Sequence, residues 1–215
     1  MKRLGLVIFF LLSSCALVGN VQVPGGRVAA ALNTWKILST SGSSGTAFPV
    51  LSGRLESGDY ETTFLTAKHV VAGANPTGWA VSQDGQRYER GGYVLSKHPH
   101  IDAALVVFVT KRKIDLLYLR TSPPRFGERI WTIGYPAGRH RVISEGIMSS
   151  STHGSSPIYF GNSGGPVVDS RGAVIGIAVA VLKDGPFGLV IMHAMFIVPL
   201  SQIKPWLKTR EIEGL

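Results

Sequence analysis

The hexapeptide Gly161-Asn162-Ser163-Gly164-Gly165-Pro166 constrains this chain more than any other stretch. Glycines on either side let Ser163 come close to another backbone. Their freedom in φ lets Gly161 and Ser163 turn two backbone N–H groups toward one point, as an oxyanion hole requires. A serine hydroxyl is a weak nucleophile at neutral pH, so this reading demands a base and a group to orient that base. The plain alternative is a glycine-rich turn with an incidental serine. What decides between them is whether a histidine and a carboxylate stand in suitable settings elsewhere.

A chain of 215 residues suits one domain, or two half-domains sharing an interface. It is 45% hydrophobic and 16% charged, with 26 glycines and 12 prolines, which favours short strands and many turns over long helices. No repeat or low-complexity tract is visible. The single cysteine, Cys15, lies in the apolar N-terminal stretch, which leaves no intramolecular disulfide and no cysteine metal site. No metal or cofactor is expected. The formal net charge is +9, but the basic residues are dispersed and not interleaved with aromatics. Nucleic acid is therefore not an expected partner; a solvated surface is, with attraction to anionic lipid or acidic partners as the alternative.

Met1-Lys2-Arg3 forms a charged n-region and Leu4 to Leu12 an apolar h-region. Leu12-Ser13-Ser14-Cys15 resembles a bacterial lipobox, so residues 1–15 are expected to be a signal peptide with lipidation at Cys15. Cleavage after Ala16, or an uncleaved anchor running to Pro24, are the alternatives. An exported protein held on a membrane of the cell envelope follows from the first of these. Residues 16–34 read as a tether, and residues 35–215 as the folded domain, in halves of roughly 35–118 and 119–208.

From Trp35 onward the pattern is strand, turn, strand. Gly42-Ser43-Ser44-Gly45 separates two apolar runs, and Phe64 to Ala67 is a strand with His69 at its end. Ile101 to Val109 is the strongest strand of the first half and carries Asp102 near its head. Arg129 to Gly134 and Val142 to Met148 are further strands. Val167-Val168 and Ala173 to Val181 flank a turn at Asp169-Ser170-Arg171-Gly172, and Leu189 to Val198 is another strand. Ser201 is a candidate cap for a short helix in which Ile203, Trp206 and Leu207 share a face, with Pro205 in the first turn. The expected fold class is all-β with a short C-terminal helix.

His69, Asp102 and Ser163 are the best-placed candidates for base, orienting carboxylate and nucleophile, and their order is one of three in which unrelated folds assemble this chemistry. The G-x-S-x-G pattern also fits the elbow of α/β-hydrolases, whose acid and base would come from Asp169, Asp184 and His193. No helix follows Ser163, however, and no βαβ pattern is present. His98 and His100 read as surface loop residues.

Several blocks in one order then carry a family resemblance. Thr66-Ala67-Lys68-His69-Val70-Val71, Asp102-Ala103-Ala104-Leu105, Ile133 to Gly138, Ser144 to Ser149, Gly161 to Val167 and Gly172 to Ile177 resemble trypsin-like serine proteases of the S1 type. The likeness is nearest to the HtrA/Deg protease domain and spans roughly residues 40 to 208. It implies two six-stranded antiparallel β-barrels with a cleft between them. It also implies a serine endopeptidase acting on protein or peptide substrates, with His69, Asp102 and Ser163 as the triad. The backbone N–H groups of Gly161 and Ser163 would form the oxyanion hole.

Two departures limit the transfer. Asn162 stands where digestive trypsin-type enzymes carry an aspartate, and no activation-site pattern surrounds Arg27-Val28, so activation by N-terminal insertion is not expected. No PDZ-like stretch follows Lys208 in this sequence. Pro157 occupies the position of the trypsin specificity aspartate. With Ala178, Val179 and Ala180 as the other pocket candidates, a small or apolar P1 residue is expected. The alternative function is a catalytically silent or chaperone-like protein-binding module on the same fold. Oligomeric state is not legible in the sequence.

Overall fold

Alternating apolar side chains roll the first half into a closed antiparallel barrel. The computed structural model describes residues 26–39, 42–72, 77–83, 87–183 and 190–210. The barrel is built from β1 (Trp35–Ser39), β2 (Ser44–Arg54), β3 (Tyr60–Thr66), β4 (Thr77–Gln83), β5 (Arg87–Lys97) and β6 (Ala104–Thr110). Its strand order is β1-β2-β3-β6-β5-β4. Inside, Trp35, Phe64 and Phe108 meet edge to face at centroid distances of 5.9 and 5.5 Å.

The sequence pattern marks no strand at β4 or β5, which pair antiparallel in the structure. β6 begins at Ala104, later than expected, because backbone groups just before it are used in a turn: His98 N donates to Ala103 O and Ala103 N to Ile101 O. Asp102 therefore sits in that turn, not in the ladder.

The second half contains β7 (Arg129–Gly134), β8 (Val142–Ile147), β9 (His153–Gly154), β10 (Pro166–Val168), β11 (Val174–Lys183) and β12 (Val190–Pro199). They form one six-stranded sheet in the order β8-β7-β10-β11-β12-β9. Its edges are joined by a Met148–Gly154 bridge, the Ser155 N–H to the Ile147 carbonyl and the Ser156 hydroxyl to the Ser144 carbonyl, so the sheet curls into a half-barrel that, with the closed first barrel, makes the expected chymotrypsin-like double barrel. One core cluster joins the halves: Phe48, Leu65 and Leu105 from the first pack with Ile133, Ile177 and Leu200 from the second. Burying each such side chain contributes about 1.5–3 kcal/mol.

Among the described residues two α-helices flank the strands. α2 (Leu200–Lys208) buries Leu200, Ile203 and Leu207. Its N-cap is Pro199, not Ser201, and Pro205 lies inside it, where it cannot donate to the Ser201 carbonyl. α1 (Gly26–Leu32) falls where a tether was expected. Its alanine run favours helix, and Ala30 and Ala31 are buried in the shared core. Arg27 stacks over the Trp131 ring at 4.2 Å and fixes the start of this helix on the second half. Cys15, the lipobox and most of the tether lie outside the described residues. Among the described residues no helix is long and apolar enough to cross a membrane.

Candidate active site

His69 owes its position to a change of backbone geometry at the end of β3. A 3-10 turn over Lys68–Val71 follows that strand, and its Val70 and Val71 are buried. His69, between them and the strand, is left half exposed at the surface of the first barrel.

Asp102 holds this residue at two points. Oδ1 accepts the His69 backbone N–H at 2.9 Å, and Oδ2 lies 2.6 Å from His69 Nδ1. Partial burial acts to raise the Asp102 pKa. The bonds from the His69 ring and backbone, the His69 charge and the Lys68 backbone outweigh it and hold the carboxyl below its ordinary value. An ionised carboxylate only accepts, so Nδ1 carries the proton and the lone pair of a neutral imidazole is on Nε2.

The turn that presents Asp102 is itself built around a histidine. His98 Nδ1 accepts the backbone N–H groups of His100 and Ile101 at 3.2 and 3.0 Å. Lys68 Nζ donates to the carbonyls of His98 and Pro99, and the Trp206 ring of α2 meets the His98 ring edge-on at 5.3 Å. Burial first, then the charges of His100 and Lys68, lower the His98 pKa.

Ser163 lies on a tight loop between Tyr159 and Pro166. Gly161 and Gly164 have φ of +98° and +86°. A Cβ on Gly161 would lie 2.3 Å from the Tyr135 carbonyl oxygen, and one on Gly164 would lie 2.2 Å from the Thr46 carbonyl oxygen and 2.8 Å from Ala67 N. Glycine is thus required at both positions. The second contact also seats the Ser163-Gly164 backbone against the segment leading to His69.

The Phe160 carbonyl accepts the Ala137 N–H at 2.6 Å. In a trans peptide the next N–H points the opposite way, so the Gly161 N–H is directed away from Ala137. Among the described residues, neither the Gly161 nor the Ser163 N–H has an acceptor. Ser163 Oγ donates to the Val179 carbonyl at 3.2 Å. Asn162 is buried and its Oδ1 has no partner among the described residues. A carboxylate there would need a counter-charge, which a neutral amide does not.

Thr46 is the residue that sequence reasoning missed. Its hydroxyl donates to the Gly161 carbonyl at 2.7 Å and accepts the Tyr135 N–H at 3.1 Å. Its backbone N–H donates to the Ser163 carbonyl at 2.8 Å, and its carbonyl accepts the Thr66 hydroxyl at 2.7 Å. Only the position of Thr46 just after the Gly42–Gly45 turn could have drawn notice to it.

Of the pocket candidates, Pro157 is half-buried and Val179 partly exposed, while Ala178 is fully buried in the second sheet's core. The Ala180 side chain lies outside what the structure describes. Gly164 N donates to Ala178 O and Ala178 N to Gly165 O, which ties β11 to the Ser163 loop. Among the described residues no cluster of three or more His, Cys, Asp or Glu could hold a metal.

The chain is 29% identical over 173 residues to the magnetosome formation protease MamE of Magnetospirillum gryphiswaldense, covering 70% of this chain and 22% of that protein. It is 27% identical over 178 residues to human serine protease HTRA4, covering 74% of this chain and 35% of the relative. The chain thus spans about a quarter to a third of the length of these relatives. The fold is similar to the inactive form of the Rv3671c protease, with a TM-score of 0.67 at 21% identity over 85% of this chain and 90% of that one. It is also similar to the serine endoprotease from Yersinia pestis, with a TM-score of 0.66 at 19% identity over 90% and 69% of the two chains. Residues 45–177 match the family described as trypsin-like peptidase domain, and the chain belongs to that family.

Proposed function

We propose that the protein is a serine endopeptidase in which Ser163, His69 and Asp102 act together. The observation that carries this reading is the two-point hold of Asp102 on His69, which leaves the Nε2 lone pair unused by the carboxylate, while Gly164 seats the Ser163 loop against the segment leading to His69. On substrate binding the Ser163 hydroxyl turns from the Val179 carbonyl to His69 Nε2, a rotation about one side-chain bond. Oγ then attacks the scissile carbonyl carbon while its proton passes to Nε2, and Asp102 stabilises the resulting imidazolium. The Gly161 and Ser163 N–H groups, which have no acceptor among the described residues, receive the oxyanion, each worth about 3–4 kcal/mol in related chemistry. His69 next protonates the leaving amine. Water repeats the sequence on the acyl-enzyme and regenerates Ser163.

In this reading β11 with Val179, and Pro157, form the acyl side, and the lack of any acidic residue between Glu145 and Asp169 supports a small or apolar P1 residue. A panel of peptides varied at P1 tests this; preference for Arg or Lys overturns it. Export and lipid anchoring at Cys15 rest on the N-terminal sequence, and a relative from Buchnera aphidicola is described as periplasmic. Loss of palmitate incorporation and of membrane fractionation in Cys15→Ala tests that reading.

The decisive experiment is fluorophosphonate labelling of the purified chain beside Ser163→Ala and His69→Ala. Labelling of the unaltered protein alone, at Ser163, is the expected result. The hydroxyl's bond to Val179 favours a second reading, a silent binding module. Absence of labelling even with unfolded protein present would select it.

A further inference from the structure

Positive charge gathers on one side of Ser163, where among the described residues neither Lys36 nor Arg139 is paired with a carboxylate. The 3-10 turn Pro136–Gly138 packs against the Ser163 loop: Ala137 N donates to Phe160 O, and a Cβ on Gly161 would lie 3.1 Å from the backbone nitrogens of Ala137 and Gly138. Arg139 and His140 follow this turn directly and are exposed, with Arg141 half-buried beside them. From the first barrel, Lys36 on β1 reaches across and donates from Nζ to the Gly138 carbonyl at 3.1 Å. Two separate parts of the chain thus bring cationic residues to the Pro136–Gly138 turn that packs beside Gly161.

The surrounding sequence contains no anion to offset them. Residues 33–55, 62–83, 129–144 and 146–168 hold no Asp or Glu among the described positions. Asp102 is already committed to His69, and Glu145 to Arg129. The opposite side of Ser163 is formed by β11, whose Val179 carbonyl accepts the serine hydroxyl. If β11 borders the acyl half of the substrate, the departing half runs past the 136–141 segment.

We infer that Lys36 and Arg139, with His140, select peptide substrates bearing an acidic side chain just after the scissile bond. This rests on the endopeptidase reading and adds a specificity that the His69–Asp102–Ser163 geometry does not itself supply. An exposed cation facing one carboxylate is worth roughly a two- to fivefold preference. Two cations and a Debye length of about 10 Å at 0.1 M salt make the preference larger in dilute buffer and smaller at high salt.

The test is digestion of a mixed peptide library by the full chain, with cleaved bonds read by mass spectrometry at low and high salt. Asp and Glu enriched roughly twofold or more at the first three positions after the cleaved bond, less so at high salt, support the inference. Arg139→Glu is expected to shift the enrichment toward Lys and Arg at those positions, and Lys36→Gln to reduce the acidic enrichment. Fluorophosphonate labelling of each variant establishes that it is folded. Cleavage with a flat profile after the bond overturns this inference alone, whether or not the chain binds anionic vesicles. Cleavage of no peptide overturns the endopeptidase reading and this inference with it.

Discussion

The Thr46 hydroxyl donates to the Gly161 carbonyl across the boundary between the two halves of the molecule, at 2.7 Å. With its bond from Tyr135 N, this hydroxyl fixes the loop on the N-terminal side of Ser163, while the Thr46 backbone fixes the C-terminal side. Thr46→Val keeps the shape and removes the hydroxyl. It removes this partner from a buried donor, the Tyr135 N–H, at about 1–3 kcal/mol, and from a half-buried acceptor, the Gly161 carbonyl, at about 1 kcal/mol. Urea unfolding is expected to show a loss of roughly 2–4 kcal/mol, and fluorophosphonate labelling a slowing of tenfold or more. Thr46→Ser is expected to recover most of both. Unchanged labelling in Thr46→Val would show that the loop is positioned without it.

Asp102→Asn separates the orienting role from mere contact. One amide oxygen can accept the His69 backbone N–H, which turns the NH2 group toward Nδ1. Nδ1 must then accept, the proton moves to Nε2, and the base faces the serine in the wrong tautomer. A fall of about 10⁴ in peptidase turnover at neutral pH is expected, with the melting temperature little altered. Activity within tenfold of the unaltered enzyme would exclude the triad as proposed.

The parts of the site that the sequence disclosed are those whose chemistry is local. His69 lies in a block of apolar and small residues, Ser163 among glycines, and Asp102 at the head of an apolar run, so each can be read within a few residues of itself. Thr46 could not be read that way: its significance comes from backbone groups of Gly161 and Tyr135, far along the chain, and a threonine in a strand carries no mark of them. β4 and β5 escaped because the paired glycines Gly91 and Gly92 and the charged run around Arg87 to Arg90 dilute the alternation that marks a strand. α1 escaped because seven residues, three of them alanine, are too few to declare a helix without the Ala30 and Ala31 packing that stabilises it.

His98 links acidity to the turn that presents Asp102. Its Nδ1 can accept from His100 and Ile101 only while the ring is neutral, and Lys68 and His100 oppose a positive charge there. A histidine whose folded pKa is lowered stabilises the fold fully above its unfolded value, near 6.5, and loses that contribution as pH falls through the lowered value. His98→Asn supplies a non-titrating acceptor. Its melting temperature is expected to fall less than that of the unaltered protein between pH 7.5 and pH 5 (both about one unit or more from that value). Equal falls in the two proteins would remove His98 from the acid response.

The final prediction concerns the second half, where Arg120 bridges two carboxylates. Its guanidinium pairs with both Glu128 oxygens, one of them from Nη2 at 2.9 Å, and with Asp169 at 2.9 Å. All three side chains are largely buried, and Asp169 also caps its own turn through the N–H groups of Arg171 and Ala173. The Arg120 hydrogen bond is the main cause that lowers the Glu128 pKa; burial opposes it, and the Arg125 backbone and the two arginine charges assist. A carboxyl lowered on folding contributes stability above its unfolded pKa, near 4.5, and that stability is lost as pH falls through the folded value. Glu128→Gln keeps the shape and removes the charge, at an expected cost of about 1.5–3 kcal/mol near neutrality for a charge-assisted bond between partly buried groups. Denaturant titrations at a series of pH values should show the two proteins' stabilities converging as pH falls through the acid range, since a protonated glutamate offers Arg120 little more than a glutamine does. A gap that persists unchanged to low pH would assign the loss to packing instead of charge.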